Sequence, residues 1–297
     1  MNLESLNKKF NLNIISDGEF LNLAHAIIQD QNKILSFCDD PNYIKLILNN
    51  NNISCLICLP EMVDKFKSTK IGLISSNYPR ELFFKIHNEL SFEEKNKRSV
   101  ISKSAKINDK SLISDVNVKI GENTIIEENV IIRPNVTIGN NTIIRAGTII
   151  GGDGFQFWKT SNNSVLSISH MGMVVIGNDV EIKEHCTIHK AVFPWDKTQI
   201  GDLTKIDSHS HIGHGNKIGN KVYLCSHSNI SGNSIIGNNS YIGPGANIPN
   251  RVKIGESSKV SVGSTVTKNV DEKITVSGNF AILHQKYIDY IKNISKN

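Results

Sequence analysis

Aromatic residues are scarce in this chain, at 6% of its 297 positions, and it holds only seven prolines and five cysteines. So few rings exclude a globular core built on large aromatic side chains and favour one filled by aliphatics. The cysteines (Cys38, Cys55, Cys58, Cys186, Cys225) are odd in number and lack framework spacing, which excludes a disulfide scaffold. Cys55 and Cys58 form a CxxC inside the apolar run 53–59, which reads as a buried strand, with a metal or redox pair as the alternative. No run of 18 apolar residues occurs, so no membrane insertion is expected. The amino-terminal MNLESLNKKFNLN lacks the apolar segment of a signal peptide, and a cytoplasmic protein is expected. A large excess of charge of one sign is also missing. A net +5 spread along the chain argues against a nucleic-acid partner and leaves a mild attraction for phosphorylated small molecules.

What the chain does have is a rhythm. From Ile200 through Ile206, Ile212 and Ile218 to Val260 and Val266, an aliphatic residue stands at every sixth position without a miss. Neither a helical period of 3.6 nor a strand period of 2 gives that spacing. A short repeat sustained over many copies is a solenoid, in which each unit buries its apolar face by stacking on the next. Gly follows the aliphatic at Ile200, Ile218, Ile236 and Ile254, a spacing of 18, so three hexads make one coil of a parallel β-helix with a triangular cross-section. Gly and Asn, including Asn220, Asn238 and Asn239, are expected to supply the turn conformations at its corners.

The hexad starts at Ile101, slips by one residue between Ile113 and Ile120, and runs on to Ile150. It is broken by loops at 151–173 and 189–199, where substrate handling is expected. Residues 1–98 lack it. There, helical spacing at 19–30, 41–49, 60–66 and 79–90 alternates with strand-like runs at 34–38, 53–59 and 71–75, with 93–98 as a linker. The predicted organisation is therefore a small α/β domain at 1–98, a β-helix at 99–266, and a C-terminal cap and short helix at 267–297. The cap is expected to cover the open end of the coil.

Histidine carries the chemical signal. His209, His211 and His214 lie in DSHSHIGHGNKIG, a spacing that a metal site could use. In a hexad, however, the three occupy different places and are not expected to converge, and no metal is expected. His214 alone suits a general base that deprotonates an amine or hydroxyl attacking an activated acyl carbon, with Asp207 to orient its ring. An idle, exposed histidine is the alternative.

At these residues the chain resembles a known family. The hexads are similar to those of the bacterial hexapeptide acyltransferases, which implies a left-handed β-helix and a homotrimer. Residues 30–250 resemble UDP-3-O-acyl-glucosamine N-acyltransferase through SFCDDPNY, through GGDGFQFW at 151–158, and through VVIGNDVEIKEHCTIHKA followed by KIDSHSHIGHGNKIG. The resemblance makes His214 the catalytic base and Asp207 its partner. It places a nucleotide base on Phe37 and Tyr43 with Asp40 beside it, and further substrate contacts at Gly154, Phe155, Phe157 and His189. Phe37 and Tyr43 as core aromatics, and the GDGF loop as a packing turn, are the alternatives.

Several positions depart from the family. Asp40 stands where the family has Asn, His189 where it has Asp, and Arg251 where it has a second histidine. The ending VSVGSTVTKNVDEKITVSGNFA instead resembles CoA-dependent sugar acetyltransferases, which implies acyl-donor contacts at Gly232, Gly245, Lys268 and Asn279. The expected function is N-acyl transfer from an acyl-CoA, acetyl-CoA foremost, to a nucleotide-linked amino sugar for cell-surface glycan synthesis. The alternatives are the lipid A N-acyltransferase reaction with an acyl carrier protein, and a non-catalytic sugar-binding solenoid.

Overall fold

A computed structural model describes residues 1–90, 97–278, 281 and 283–294. The chain divides into two units, each treated by itself. Residues 1–96, 153–172 and 191–196 form the first, and residues 97–152, 173–190 and 197–297 the second. Both excursions from the hexad rhythm thus group with the amino-terminal residues rather than with the β-helix.

The first unit is a five-stranded sheet with helices on both faces. Its elements are α1 (Leu3–Phe10), β1 (Asn13–Ser16), β2 (Asn22–Leu23), β3 (Ile34–Cys38), α2 (Ile44–Leu48), β4 (Ile53–Cys58), α3 (Val63–Phe66), β5 (Gly72–Ser75) and α4 (Pro79–Leu90). The strand order is β1-β5-β4-β3-β2, parallel except for β1. The central strands read as continuous apolar runs because alternate residues enter two cores. Leu35, Cys55, Ile57 and Ile74 pack with Leu3, Phe83 and Ile86 on one face, while Ile34, Leu56, Cys58 and Leu73 pack with Ile47, Met62 and Phe66 on the other. The CxxC is therefore split across the sheet, and burial pushes its thiols up to about 11 and about 12. Residues 19–30 are not the expected helix. Phe20, Leu23 and Ala24 are buried from β2 and its flanking turns, whereas Ile27 points to solvent. The expected linker lies partly outside the described residues.

The second unit is a left-handed parallel β-helix. Its strands form three sheets of eight, nine and seven members, one for each side of the triangle. The eight-stranded sheet, with strands such as Lys217–Ile218, is called the first face. The nine-stranded sheet with Lys205–Ile206 is the second, and the seven-stranded sheet with His211–Ile212 is the third. Every hexad aliphatic from Ile120 to Val266 is buried, and each stacks on its counterpart 18 residues away where no loop intervenes, as in Ile212 with Ile230. The first coil is the exception, since Ile101 and Ile107 are exposed.

The corners account for the abundant asparagine. Asn123, Asn129, Asn141 and Asn239 take the left-handed conformation that Asn tolerates. Asn220 and Asn238 act differently from expectation. Their side-chain oxygens accept the N–H of Asp202 and of Asn220 on the preceding coil, at 2.8 Å each. That is why Gly recurs every 18 residues: a Cβ on Gly219 would lie 2.6 Å from Asn238 Oδ1. The C-terminal helix, α5 (His284–Ile294), has no buried residue, so it does not cover the end of the coil.

Candidate active site

His214 lies in the corner between the third and first faces, in the turn from His211–Ile212 to Lys217–Ile218. Its carbonyl accepts the Asn233 N–H at 2.8 Å, which ties the turn to the next coil. The imidazole, half-buried, leans over Gly232, 18 residues on. A Cβ at Gly232 would stand 2.6 Å from both Cε1 and Nε2 of the ring. Only a residue without a side chain lets the ring lie there. Among the described residues, no acceptor takes the Gly232 N–H. A basic ring nitrogen and an uncommitted backbone donor thus meet at one corner.

Asp207 occupies the previous corner, between the second and third faces. Its carboxylate accepts the N–H of Ser208 at 2.8 Å and of Ser226 at 3.2 Å. Within one chain the structure does not bring it to His214, because a step of six or seven residues crosses one side of the triangle. The other histidines separate in the same way. His185, His209 and His227 stack at the Asp207 corner with ring centroids 5.3 and 5.0 Å apart. His211 projects from the third face against His189, edge to face at 4.9 Å, and burial holds its pKa below the ordinary 6.5. Among the described residues no group of three or more His, Cys, Asp or Glu side chains is placed to hold a metal ion.

In the first unit, Phe37 and Tyr43 are not alike. Phe37 packs against Phe83 at 5.0 Å and lies under the Arg80 guanidinium at 5.2 Å, half-buried between them. Arg80 also covers Trp158 at 4.5 Å and grips the Asp39 carboxylate with two nitrogens, at 2.9 and 3.1 Å. Tyr43 is 49% exposed. Asp40 caps the turn before Tyr43, its Oδ1 accepting the Asn42 N–H at 2.9 Å. Gly154 accepts the Gln156 N–H in the loop that presents Phe155, 89% exposed, edge to face with Phe157 at 4.9 Å. That loop is a hairpin (Phe157–Lys159 with Val165–Ser167) clamped to α4. Buried Glu81 accepts the Ser161 N–H, Asn88 bonds Ser167 and Ser169, and the His87 Nε2–H donates to the Ser169 carbonyl at 2.9 Å. The sequence carries no periodic sign of Arg80 or of this clamp.

Of the expected donor contacts, Gly232 lies against His214, Gly245 sits at the corner that carries the histidine stack, and Lys268 is exposed. Asn279 lies outside the described residues. The first face bears an open groove of about 900 Å³, bordered by Lys217, Ile235, Lys253 and Glu256. No helix among the described residues is long and apolar enough to cross a membrane.

Residues 117–152 and 233–268 match the bacterial transferase hexapeptide family, described as six repeats. Over 72 residues the chain is 47% identical to a UDP-3-O-acylglucosamine N-acyltransferase of Dechloromonas aromatica, which covers 24% of this chain and 20% of that protein. Over 71 residues it is 42% identical to the protein of the same name from Maricaulis maris, again 24% and 20% of the two chains. The chain thus spans about a fifth of the length of the curated relatives it matches. A solved UDP-N-acetylglucosamine acyltransferase from Campylobacter jejuni shares the fold, with a TM-score of 0.51 and 24% identity over 67% of this chain and 81% of its own. The left-handed coil is common ground between this chain and the Campylobacter jejuni protein.

Proposed function

We propose that the chain is an N-acyltransferase that moves an acyl group from a thioester donor to the amine of a nucleotide-linked amino sugar. The observation that carries this reading is the imidazole of His214 seated against the free N–H of Gly232. In the reaction, the neutral amine attacks the thioester carbonyl and His214 takes the proton the nitrogen sheds. The negative oxygen of the tetrahedral adduct accepts the Gly232 N–H, a donor fixed in place before the reaction begins. Collapse of the adduct breaks the carbon–sulfur bond, and the imidazolium returns the proton to the departing thiolate. The amine is a competent nucleophile, so no acyl-enzyme is required. Because both amine and imidazole act in neutral form, the rate falls on acidification.

The ending that resembles CoA-dependent sugar acetyltransferases favours a short acyl-CoA as donor and makes Lys268 and Gly245 donor contacts. The printed names of the relatives favour a second reading, N-acylation of UDP-3-O-acylglucosamine with a hydroxyacyl chain on acyl carrier protein. In either case the working form in this reading is a homotrimer, which sedimentation velocity tests.

The deciding experiment offers nucleotide-linked amino sugars with acetyl-CoA, longer acyl-CoAs and carrier-protein thioesters, and reads products by mass spectrometry for wild type and His214→Ala. Loss of the base is expected to lower kcat about 10²- to 10⁴-fold. A near wild-type rate in His214→Ala would return the chain to a non-catalytic sugar-binding solenoid. Turnover with carrier-protein donors alone would select the second reading.

A further inference from the structure

Two residues before each core aliphatic of the first face, one interior column is valine on four of the eight described strands: Val118, Val136, Val174 and Val252. On the coils around His214 the same column reads Thr198, Asn216 and Ser234, all fully buried. Hydroxyl residues recur at this depth on the other faces, where several donate to a carbonyl of the next coil, as Thr204 does to Gly219 at 2.9 Å. Asn216 is the one amide buried in the interior of the β-helix among the described residues.

Its hydrogen bonds run in two directions. Nδ2 donates to the Gly213 carbonyl at 2.9 Å and to the Ile230 carbonyl at 3.2 Å, and Oδ1 accepts the Ser234 N–H at 2.7 Å. Gly213 immediately precedes His214, while Ile230 and Ser234 stand two residues either side of Gly232. One side chain therefore joins the turn that carries the imidazole to the turn that carries the free N–H. Thr198 braces the first turn from below, its Oγ1 accepting the Gly215 N–H at 2.8 Å.

Building a coil does not require this amide. Where the column is valine, the next coil bonds to backbone instead: Val136 N–H to the Asn117 carbonyl at 3.2 Å, and Val174 N–H to the Asn135 carbonyl at 2.9 Å. An amide is unfavourable inside an aliphatic core unless its donors and acceptor are paired, and those of Asn216 are. The costly residue stands where two turns must keep a fixed spacing.

We infer that Asn216 is a positioning residue, which holds His214 and the Gly232 N–H in register and so sets the rate of acyl transfer without touching substrate. This rests on the His214 reading above. The test is Asn216→Val, the residue that the column carries elsewhere and that the backbone pairing already accommodates. The expected result is a kcat lower by about 10- to 100-fold, the scale of a misplacement near 1 Å. Both KM values should stay within twofold, and the thermal midpoint should not drop. In ¹³C/¹⁵N-histidine spectra the His214 ring signals, identified by their loss in His214→Ala, should move. Thr198→Val, milder by removing one bond, serves if Asn216→Val does not fold. A kcat within twofold of wild type, unmoved His214 signals, or a kcat that falls only with the folded fraction overturns the inference. A fully active His214→Ala would sink the functional reading, while the ring signals in Asn216→Val would still decide the brace.

Discussion

Gly232→Ala gives the sharpest test of the corner at His214. The backbone there is not left-handed, so alanine adds no backbone strain of its own. Its methyl, however, would sit 2.6 Å from Cε1 and Nε2 of His214 and 3.0 Å from Cδ2. Non-bonded carbons rest at about 3.5–4.0 Å, so the ring must retreat by roughly 1 Å. A displacement of that size at a reacting group costs about 10²-fold in rate, or about 2.7 kcal/mol of barrier. The methyl would also crowd the approach to the Gly232 N–H, so the effect should fall on kcat rather than on binding.

Gly147→Ala is the matched control. Its methyl would stand 2.6 Å from Cε1 of His185, a similar collision between coils, but at the corner of the histidine stack. There φ is +71°, so alanine is also strained by about 1–2 kcal/mol. The two variants should therefore dissociate: Gly232→Ala folds normally and turns over poorly, and Gly147→Ala melts earlier and turns over normally. Steady-state kinetics beside calorimetry reads both. A Gly232→Ala enzyme within threefold of the wild-type kcat would refute the argument that this contact seats the base.

Three further outcomes follow from the packing. Burial holds the His87 pKa below its ordinary 6.5. Its contribution is complete above pH 6.5 and is lost as the pH falls from there through the depressed value, because the unfolded chain takes up the proton first. The thermal midpoint of the first unit should thus decline between pH 7 and pH 5, and much less so in His87→Phe. Arg80→Lys keeps the charge but loses the planar fork to Asp39 and the stacking on Phe37 and Trp158, which should destabilise the first unit by about 1–3 kcal/mol in urea melts. Ile212→Ala, at a fully buried position stacked between Ile188 and Ile230, should cost about 2–5 kcal/mol. An effect below 1 kcal/mol there would mean that the coils tolerate cavities.

The β-helix was legible because its signal is redundant, with one aliphatic per side of the triangle repeated coil after coil. The sheet of the first unit was legible where strands are buried on both faces, as in β3, β4 and β5. Residues 19–30 misled because Phe20, Leu23 and Ala24 have helical spacing by accident, each being buried from a turn or a two-residue strand. The first helix, α1, was missed although Asn2 caps it by accepting the Ser5 N–H at 3.0 Å, an amino-terminal signal present in the sequence. The surroundings of Phe37 were not legible for another reason. Nothing local to Phe37 announces that Arg80, 43 residues later, covers its ring.

His214 itself could be found from residue type, but its partners could not be found by proximity in sequence, and the reason is geometric. In a triangular coil a step of six moves a residue to the next side, so Asp207 belongs to another corner despite standing seven residues away. A step of 18 returns to the same corner one coil on, a rise of about 4.8 Å. The residues able to act together with His214 in its own chain are those at multiples of 18, such as Gly232, with interior residues such as Asn216 that bond to both coils. Reading a solenoid for function therefore means taking the sequence modulo its coil length, after excising the loops that leave it. Applied to this chain, that rule selects Gly232 without any structure. It does not select Asn216, because a buried amide in a valine column is odd by type but silent about which two backbones it joins.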